Sequence, residues 1–206
     1  MIIYFVRHGE SMGAEIGIYQ GDNDALSQKG EKQARVLAKR LSNLEINLIF
    51  SSPLQRAKKT AEIISEKISK SIEIWEELRE TRNPTEIIGT PLDNPKAREI
   101  KKLIKENYTK GNWKYSDEET FEELKSRANH ILVILLSKKE ENIVCVSHAG
   151  IIKMILALMI FGEKLTPQVY WDFKYHLHSD NTGITVCKYS ENHGWWVTSW
   201  NDITHL

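Results

Sequence analysis

Cysteine is nearly absent from this sequence, and what little there is points inward. Cys145 and Cys187 are the only two in 206 residues, and both lie among apolar neighbours. One disulfide is the most they could form. Two thiols in strand-like surroundings read instead as small buried hydrophobes of a reducing compartment. An excess of either charge is missing too: 28 Lys and Arg balance 28 Asp and Glu. Broad binding to nucleic acid or to an anionic membrane therefore has no global electrostatic support, though a local basic pocket remains compatible. Long apolar runs are lacking. The N-terminal run is too short for a signal-peptide core and has no basic region before it. Residues 151–161 carry Lys153 and fall short of a membrane span. The expectation is a cytoplasmic protein, outside membranes, with no internal repeat or low-complexity tract. At 41% hydrophobic and 27% charged residues, the chain has enough apolar material for a real core. Its length fits one domain over residues 1–206.

The chain opens MIIYFVRHGES, an apolar run of strand type that stops on Arg7, His8 and Gly9. Gly9 would let the backbone turn tightly or pass close to a ligand. Further on, LSQKGEKQARVLAKRLSNL sets Ala34, Leu37, Ala38, Leu41 and Leu44 at helical spacing, with Ser27 as cap. NLIF is a short strand. SSPLQRAKKTAEIISEKI then predicts a helix with Ser52 as N-cap, Pro53 at its first position and Gln55 completing a capping box, so that Arg56 falls in the first turn. SIEIW supplies another strand. Residues 81–116 break the pattern with Pro84, Gly89, Pro91 and Pro95, and read as an excursion over the site that acts as lid or specificity element. Regularity returns in a long amphipathic helix through Phe121, Leu124, Ala128, Ile131, Leu132 and Leu135. The strand NIVCV follows and ends on Ser147, His148, Ala149 and Gly150, before an apolar helix. TGITVCKY and WWVTSW are late strands, and VYWDFKYHLH is a further strand candidate.

Three strand-to-helix junctions thus carry Arg7 with His8, residues 51–56, and residues 147–150. If these strands are parallel, as alternating strand and helix implies, their carboxyl ends share the edge where open α/β sheets bind ligands. Two guanidinium groups, two imidazoles and helix N-termini gathered there suit a phosphate. One neutral imidazole can attack phosphorus, while the other, kept protonated by the bound anion's charge, stabilises charge on the equatorial oxygens. A leaving alkoxide needs a proton. Glu80 in EELRE is the candidate donor if extension persists beyond SIEIW, with Glu76 and Glu77 as rivals.

These residues carry a resemblance. RHGES, YQGDNDALSQKGEKQA, SSPLQRAKKTA, LRE, SHAG and DNTGI occur in the order of the motifs of the histidine phosphatase superfamily, whose members include cofactor-dependent phosphoglycerate mutases. The resemblance covers nearly the whole chain. It implies a three-layer α/β/α sandwich with a mostly parallel central sheet, and neither metal nor other cofactor. It also implies His8 as phosphorylated nucleophile, Glu80 as proton donor, and Arg7, Arg56 and His148 as the rest of the phosphate pocket. Ser11, Gln20, Gly21 and Ala149 join Arg7, Arg56 and His148 as substrate contacts on the same ground. The partner it implies is a small phosphorylated metabolite, and a homodimer is compatible with the sequence. Family members often place an asparagine a few positions beyond RHG, where ESMGAEIG offers Gly13 and no asparagine occurs before Asn23. LRETRNPTEIIG lacks both the Glu-Arg-x-Tyr-Gly pattern that follows the acid in mutases and the Gly-x-x-Glu-Gly pattern that follows it in many phosphatases, which leaves the substrate open. With a short excursion after Glu80 and no mutase-like residues there, the function expected is hydrolysis of a phosphomonoester through a phosphohistidine. A phosphoglycerate mutase is the first alternative, and a non-catalytic phospholigand or protein-binding module the second.

Other conspicuous residues have plainer readings. His176 and His178 share a strand face without a completing ligand set, and read as structural or as site rim. Trp195, Trp196 and Trp200 read as core or edge packing, and the basic residues across 96–105 as the solvent face of a helix.

Overall fold

The computed structural model describes residues 1–111 and 113–206; Asn112, inside the excursion, lies outside them. Apolar runs form the strands β1 (Ile2–Arg7), β2 (Leu48–Ser51), β3 (Ile72–Ile74), β4 (Asn142–Ser147), β5 (Ile184–Ser190) and β6 (Gly194–Asp202). They make one sheet in the order β3-β2-β4-β1-β5-β6. The first four run parallel, and the last two are antiparallel additions at one side. The helices are α1 (Met12–Glu15), α2 (Gln28–Leu41), α3 (Gln55–Ile68), α4 (Pro95–Asn107), α5 (Phe121–Leu136), α6 (Ala149–Phe161) and α7 (Pro167–His176).

Strand alternation divides the core in two. Val6, Ile49, Val144 and Val146 pack on Ala34 and Leu37 of α2 and on Ala61 and Ile64 of α3. Ile3, Phe5, Phe50 and Cys145 face the other way, onto Leu124, Ala128 and Ile131 of α5 and Ile152 and Ile155 of α6. The result is the expected three-layer α/β/α sandwich. Cys145 and Cys187 are free and buried, and burial pushes both thiols above their ordinary pKa.

Three local expectations need correction. The stretch 169–178 is not a strand: the Thr166 hydroxyl accepts from Val169 N at 3.3 Å, and Pro167 in the first turn starts α7. His176 ends that helix and His178 lies beyond it, so they share no strand face. Ser52 does not cap α3, which starts at Gln55 after Leu54 with no side-chain cap. Its hydroxyl is occupied elsewhere. The close approach at Gly9 is to another backbone: a Cβ there would sit 2.5 Å from Gly30 O of α2, so the glycine permits two backbones to touch.

Residues 81–116 contain a 3-10 turn, Thr85–Ile87, and α4, capped by Asn94. Ile87, Ala97 and Ile100 form a small core of their own with Tyr19, Ile104 and Tyr115. Backbone bonds tie this segment to the loop after α1: Tyr19 N to Thr90 O at 2.9 Å, Gly89 N to Tyr19 O at 2.8 Å, and Leu92 N to Gly17 O at 2.8 Å.

Candidate active site

Register brings the junctions together. Arg7 pairs with Ser147 across β1 and β4, and Ser51 pairs with Val146 across β2 and β4, so three strands end at one level. The ladder runs one residue further: His8 N donates to Ser147 O at 2.9 Å, and Ser52 N to Val146 O at 3.0 Å. His8, Ser52 and His148 are thereby forced side by side although 140 residues separate the two histidines in sequence. Their ring centroids are 4.9 Å apart.

The His8 ring is fixed at both nitrogens. Nδ1 lies 2.7 Å from Gly9 O, a partner that can only accept, so the proton sits on Nδ1 and the lone pair on Nε2. Arg56 Nε donates to that lone pair at 3.2 Å. Burial, then Arg56 and Arg7, hold the His8 imidazole well below its ordinary pKa and keep it neutral. Gly9 N donates to Thr60 Oγ1 at 3.1 Å, and that hydroxyl donates to Arg56 O at 2.8 Å, which joins the His8 loop and the Arg56 helix in one network.

The DNTGI segment braces the same loop from the other side. Asn181 Nδ2 donates to His8 O at 3.0 Å and Thr182 N to Arg7 O at 2.9 Å. Thr182 holds φ +60°, a strained value for a β-branched residue, and the surrounding contacts keep it there.

The two guanidinium groups approach from different elements. Arg56 is 2% exposed, and its Nη1 donates to Gly21 O at 2.7 Å. Arg7 Nη1 donates to Ser179 O, while its Nε is buried without a partner. His148 is fully buried at the N-cap of α6; Nε2 meets Ser52 Oγ at 2.8 Å and Nδ1 has no partner. Burial, followed by His8 and the arginines, pulls its pKa well down. An anion accepting from these groups would satisfy the orphaned atoms and offset the positive charge at once.

Extension does not persist after β3. A 3-10 turn, Glu76–Leu78, intervenes and redirects the chain. Glu80 nonetheless reaches the site: Oε1 accepts from Thr81 N at 2.8 Å and Oε2 from Gly150 N at 3.2 Å, two residues from His148. A Cβ at Gly150 would overlap Glu80 Oε1, so this glycine makes room for the carboxylate. Glu77 faces away, 3.3 Å from His130, and Glu76 is engaged with Arg79 at 3.2 Å on the cavity wall.

A cavity of about 1020 Å³ opens above the junctions, lined by Arg7, His8, Arg56 and Glu80 at its base, with Gln20 and Gly21 on one side. Ser11 does not join this lining; it is buried and caps α1 by accepting from Ala14 N at 3.2 Å. Ala149 is the first residue of α6, beside His148. At the position of Gly13, the backbone N donates to Asp24 Oδ1 at 2.9 Å, and a Cβ would crowd Asp24 Oδ2.

Sequence reasoning missed Ser52's contact with His148, Thr60 and, above all, Arg127. Arg127 Nε and Nη2 hold Glu119 at 2.8 and 2.6 Å, while Nη1 donates to the carbonyls of Glu77 and Arg79. It pins the turn that delivers Glu80. Nothing in its sequence context distinguishes it from a solvated helix charge.

The chain is 32% identical to the putative phosphoserine phosphatase 2 of Hydrogenobacter thermophilus, over 89% of this chain and 87% of that protein. It is 28% identical to the probable phosphoglycerate mutase GpmB of Erwinia tasmaniensis, over 99% and 94%. A mutant phosphoserine phosphatase of Entamoeba histolytica, solved with phosphoserine, superposes with a TM-score of 0.77 at 25% identity, covering 100% of this chain and 98% of that one. The profile described as histidine phosphatase superfamily (branch 1) matches residues 3–203, a span that takes in every junction residue above, and the chain belongs to that superfamily.

Proposed function

We propose that this site hydrolyses a small phosphomonoester through a phosphohistidine on His8. The observation that carries the reading is the His8 ring itself, a neutral imidazole whose Nε2 lone pair faces the arginine pocket because Gly9 O holds the Nδ1 proton. Relatives named as phosphoserine phosphatases support hydrolysis.

The ester phosphate sits between Arg7 and Arg56, where paired guanidinium forks match its oxygens. Nε2 attacks phosphorus, the P–N bond forms and the P–O bond to the alkoxide breaks. Glu80, entering as the acid, gives the alkoxide its proton and becomes a carboxylate. In the second step that carboxylate takes a proton from water, whose oxygen attacks phosphorus. The P–N bond breaks, His8 regains its lone pair and orthophosphate leaves. The incoming anion raises the proton affinity of His148, which then donates to an equatorial oxygen. The excursion over residues 81–116 is the wall that selects the alcohol. All of these groups come from one chain, and no helix among the described residues is long and apolar enough to cross a membrane. We place the protein in the cytoplasm.

The decisive assay follows orthophosphate release and isomerisation side by side from 3-phosphoglycerate and other phosphorylated metabolites. Release without interconversion supports the hydrolase; rapid interconversion with negligible release would make the protein a mutase. Glu80→Gln should slow esters with poor leaving groups by about 10²- to 10⁴-fold and p-nitrophenyl phosphate far less. Equal slowing of both would remove Glu80 from the acid role.

A further inference from the structure

Three lysines from three elements converge around Glu80, and the reaction above uses none of them. Lys153 lies on α6 three residues after Gly150, on the helix face where Gly150 N meets Glu80 Oε2. Lys174 lies on α7 one turn after Tyr170, whose hydroxyl donates to Gly150 O at 3.2 Å. Lys153 Nζ donates to Lys174 O at 3.0 Å. Lys101 belongs to α4, where a wholly solvent-facing basic surface was expected; it turns inward instead, and its Nζ donates to Asn83 Oδ1 at 2.8 Å. Asn83 lines the catalytic cavity three residues after Glu80.

Among the described residues, Glu80 is the one carboxylate whose charge reaches all three of these ammonium groups, Glu118 acts on Lys101 as well, and none of the three is in a direct ion pair. Lys96 and Lys102, on the same helix as Lys101, pair with Glu86 and Glu106. Among the described residues, Lys101, Lys153 and Lys174 have no carboxylate oxygen within 4.0 Å. Their partners are a neutral amide, a carbonyl and three aromatic rings: Lys174 Nζ stands 3.9 Å from the Trp171 centroid, 4.5 Å from Tyr108 and 5.4 Å from Tyr170. Rings attract a cation but do not neutralise it. Burial, together with Lys101 and Lys153, brings the Lys174 ammonium down to about 7, and burial lowers the other two as well. Gathering three such groups around the single carboxylate of Glu80 leaves positive charge in excess there, and a bound anion would offset it.

We propose that Lys101, Lys153 and Lys174 form a second anion subsite beside the phosphate pocket, which takes a further anionic group, carboxylate or phosphate, carried by the phosphomonoester substrate. The proposal rests on the hydrolase reading and narrows its substrate class to doubly anionic esters. Lys101 is the entry point, because an anion in the cavity is a stronger acceptor than the neutral Asn83 amide it replaces.

The test compares specificity ratios in the full chain. Steady-state kcat/KM is measured for O-phosphoserine, 3-phosphoglycerate and fructose 1,6-bisphosphate, each divided by that for p-nitrophenyl phosphate, in wild type and in Lys101→Met, Lys153→Met and Lys174→Met. Losing one charged contact should reduce the ratio for at least one doubly anionic ester about tenfold to hundredfold, through KM more than kcat. Lys101→Arg should restore most of it, which separates a charge effect from a folding defect. The carboxylated and the bisphosphate esters distinguish which anion is taken. Ratios unchanged in all three Met variants would overturn the subsite while leaving the hydrolase intact. Acceleration of p-nitrophenyl phosphate hydrolysis by free malonate, lost in the Met variants with the ratios unchanged, would assign the cluster to an external anion and likewise overturn the proposal. Wild-type protein that releases no orthophosphate from any of the esters would overturn the hydrolase reading, and the subsite with it.

Discussion

The floor of the cavity and its wall are built on opposite terms. On the floor, β1, β2 and β4 end in register, and His8, Ser52, Arg56 and His148 are almost fully buried. His8 is fixed by Gly9 O and Arg56, its backbone carbonyl by Asn181, and its loop by Thr60. The wall is residues 81–116, with a three-residue core and exposed ion pairs such as Lys96 with Glu86. Solvent screens exposed pairs of this kind, so they hold the wall only weakly. On the proposed hydrolase reading, rigid placement serves chemistry that is the same for every phosphomonoester, and the more loosely held wall serves selection, where contacts must differ from one alcohol to the next.

The sharpest way to break the floor is His8→Ala. It removes the proposed attacking nitrogen while Arg7 and Arg56 keep their backbone carbonyl partners and His148 its Ser52 contact, so binding should survive and turnover should not. A loss on the order of 10⁴-fold or more in kcat is expected, together with disappearance of acid-labile phosphate from the protein. Label that persisted in the variant would move the nucleophile elsewhere, with His148 as the next imidazole to examine.

The floor also sets a pH limit that the wall does not. His8 and His148 are buried bases held well below the ordinary histidine pKa of about 6.5, chiefly by burial. Between their folded values and 6.5 the unfolded chain binds more protons than the folded one, so stability rises with pH there and is lost as pH falls below 6.5. Each imidazole contributes at most about 1.4 kcal/mol per pH unit to that slope. Thermal unfolding followed from pH 8 to pH 5 should therefore show a falling Tm below pH 6.5, with a shallower fall in His8→Ala. Added phosphate should oppose the fall, since a bound anion favours the imidazolium. An identical slope in wild type and variant would show that His8 does not carry the effect.

Sequence made the floor legible because its logic is local. An apolar strand that stops on Arg7 and His8, or on His148, announces a sheet edge wherever the partner strands lie. Arg56 was legible by its distance from NLIF, although the cap assigned to Ser52 was wrong. Ser52 instead meets His148, 96 residues away, and no spacing rule reaches that far. Thr60 and Arg127 were hidden for the same reason, since a polar residue in a helix looks solvated until a distant loop arrives beside it. The stretch 169–178 alternates like a strand, yet Thr166 and Pro167 start a helix there and bring Lys174 inward. Of the wall, its prolines, Gly89 and a basic helix across 96–105 were readable; its fold depends on backbone bonds to residues 17–19.

That dependence gives the smallest expected effect and the cleanest test of the wall. Gly89 has φ +79°, and a Cβ there would meet nothing within 4 Å. Gly89→Ala thus adds no clash and changes only the cost of the left-handed backbone, about 1 kcal/mol. The cost falls on a segment whose Gly89 N and Thr90 O are both bonded to Tyr19, so the tie between the wall and the loop after α1 should loosen before the sheet does. Amide exchange should quicken at residues 17–19 and 89–92, while β1 and β4 keep their protection. KM for the natural ester should rise a few-fold with kcat nearly constant, because ground-state contacts of the alcohol are weakened and the phosphate pocket is not. A fall in kcat with KM unchanged would mean that the wall helps place Glu80, and the division between a chemical floor and a selective wall would then have to be redrawn through residues 80–82.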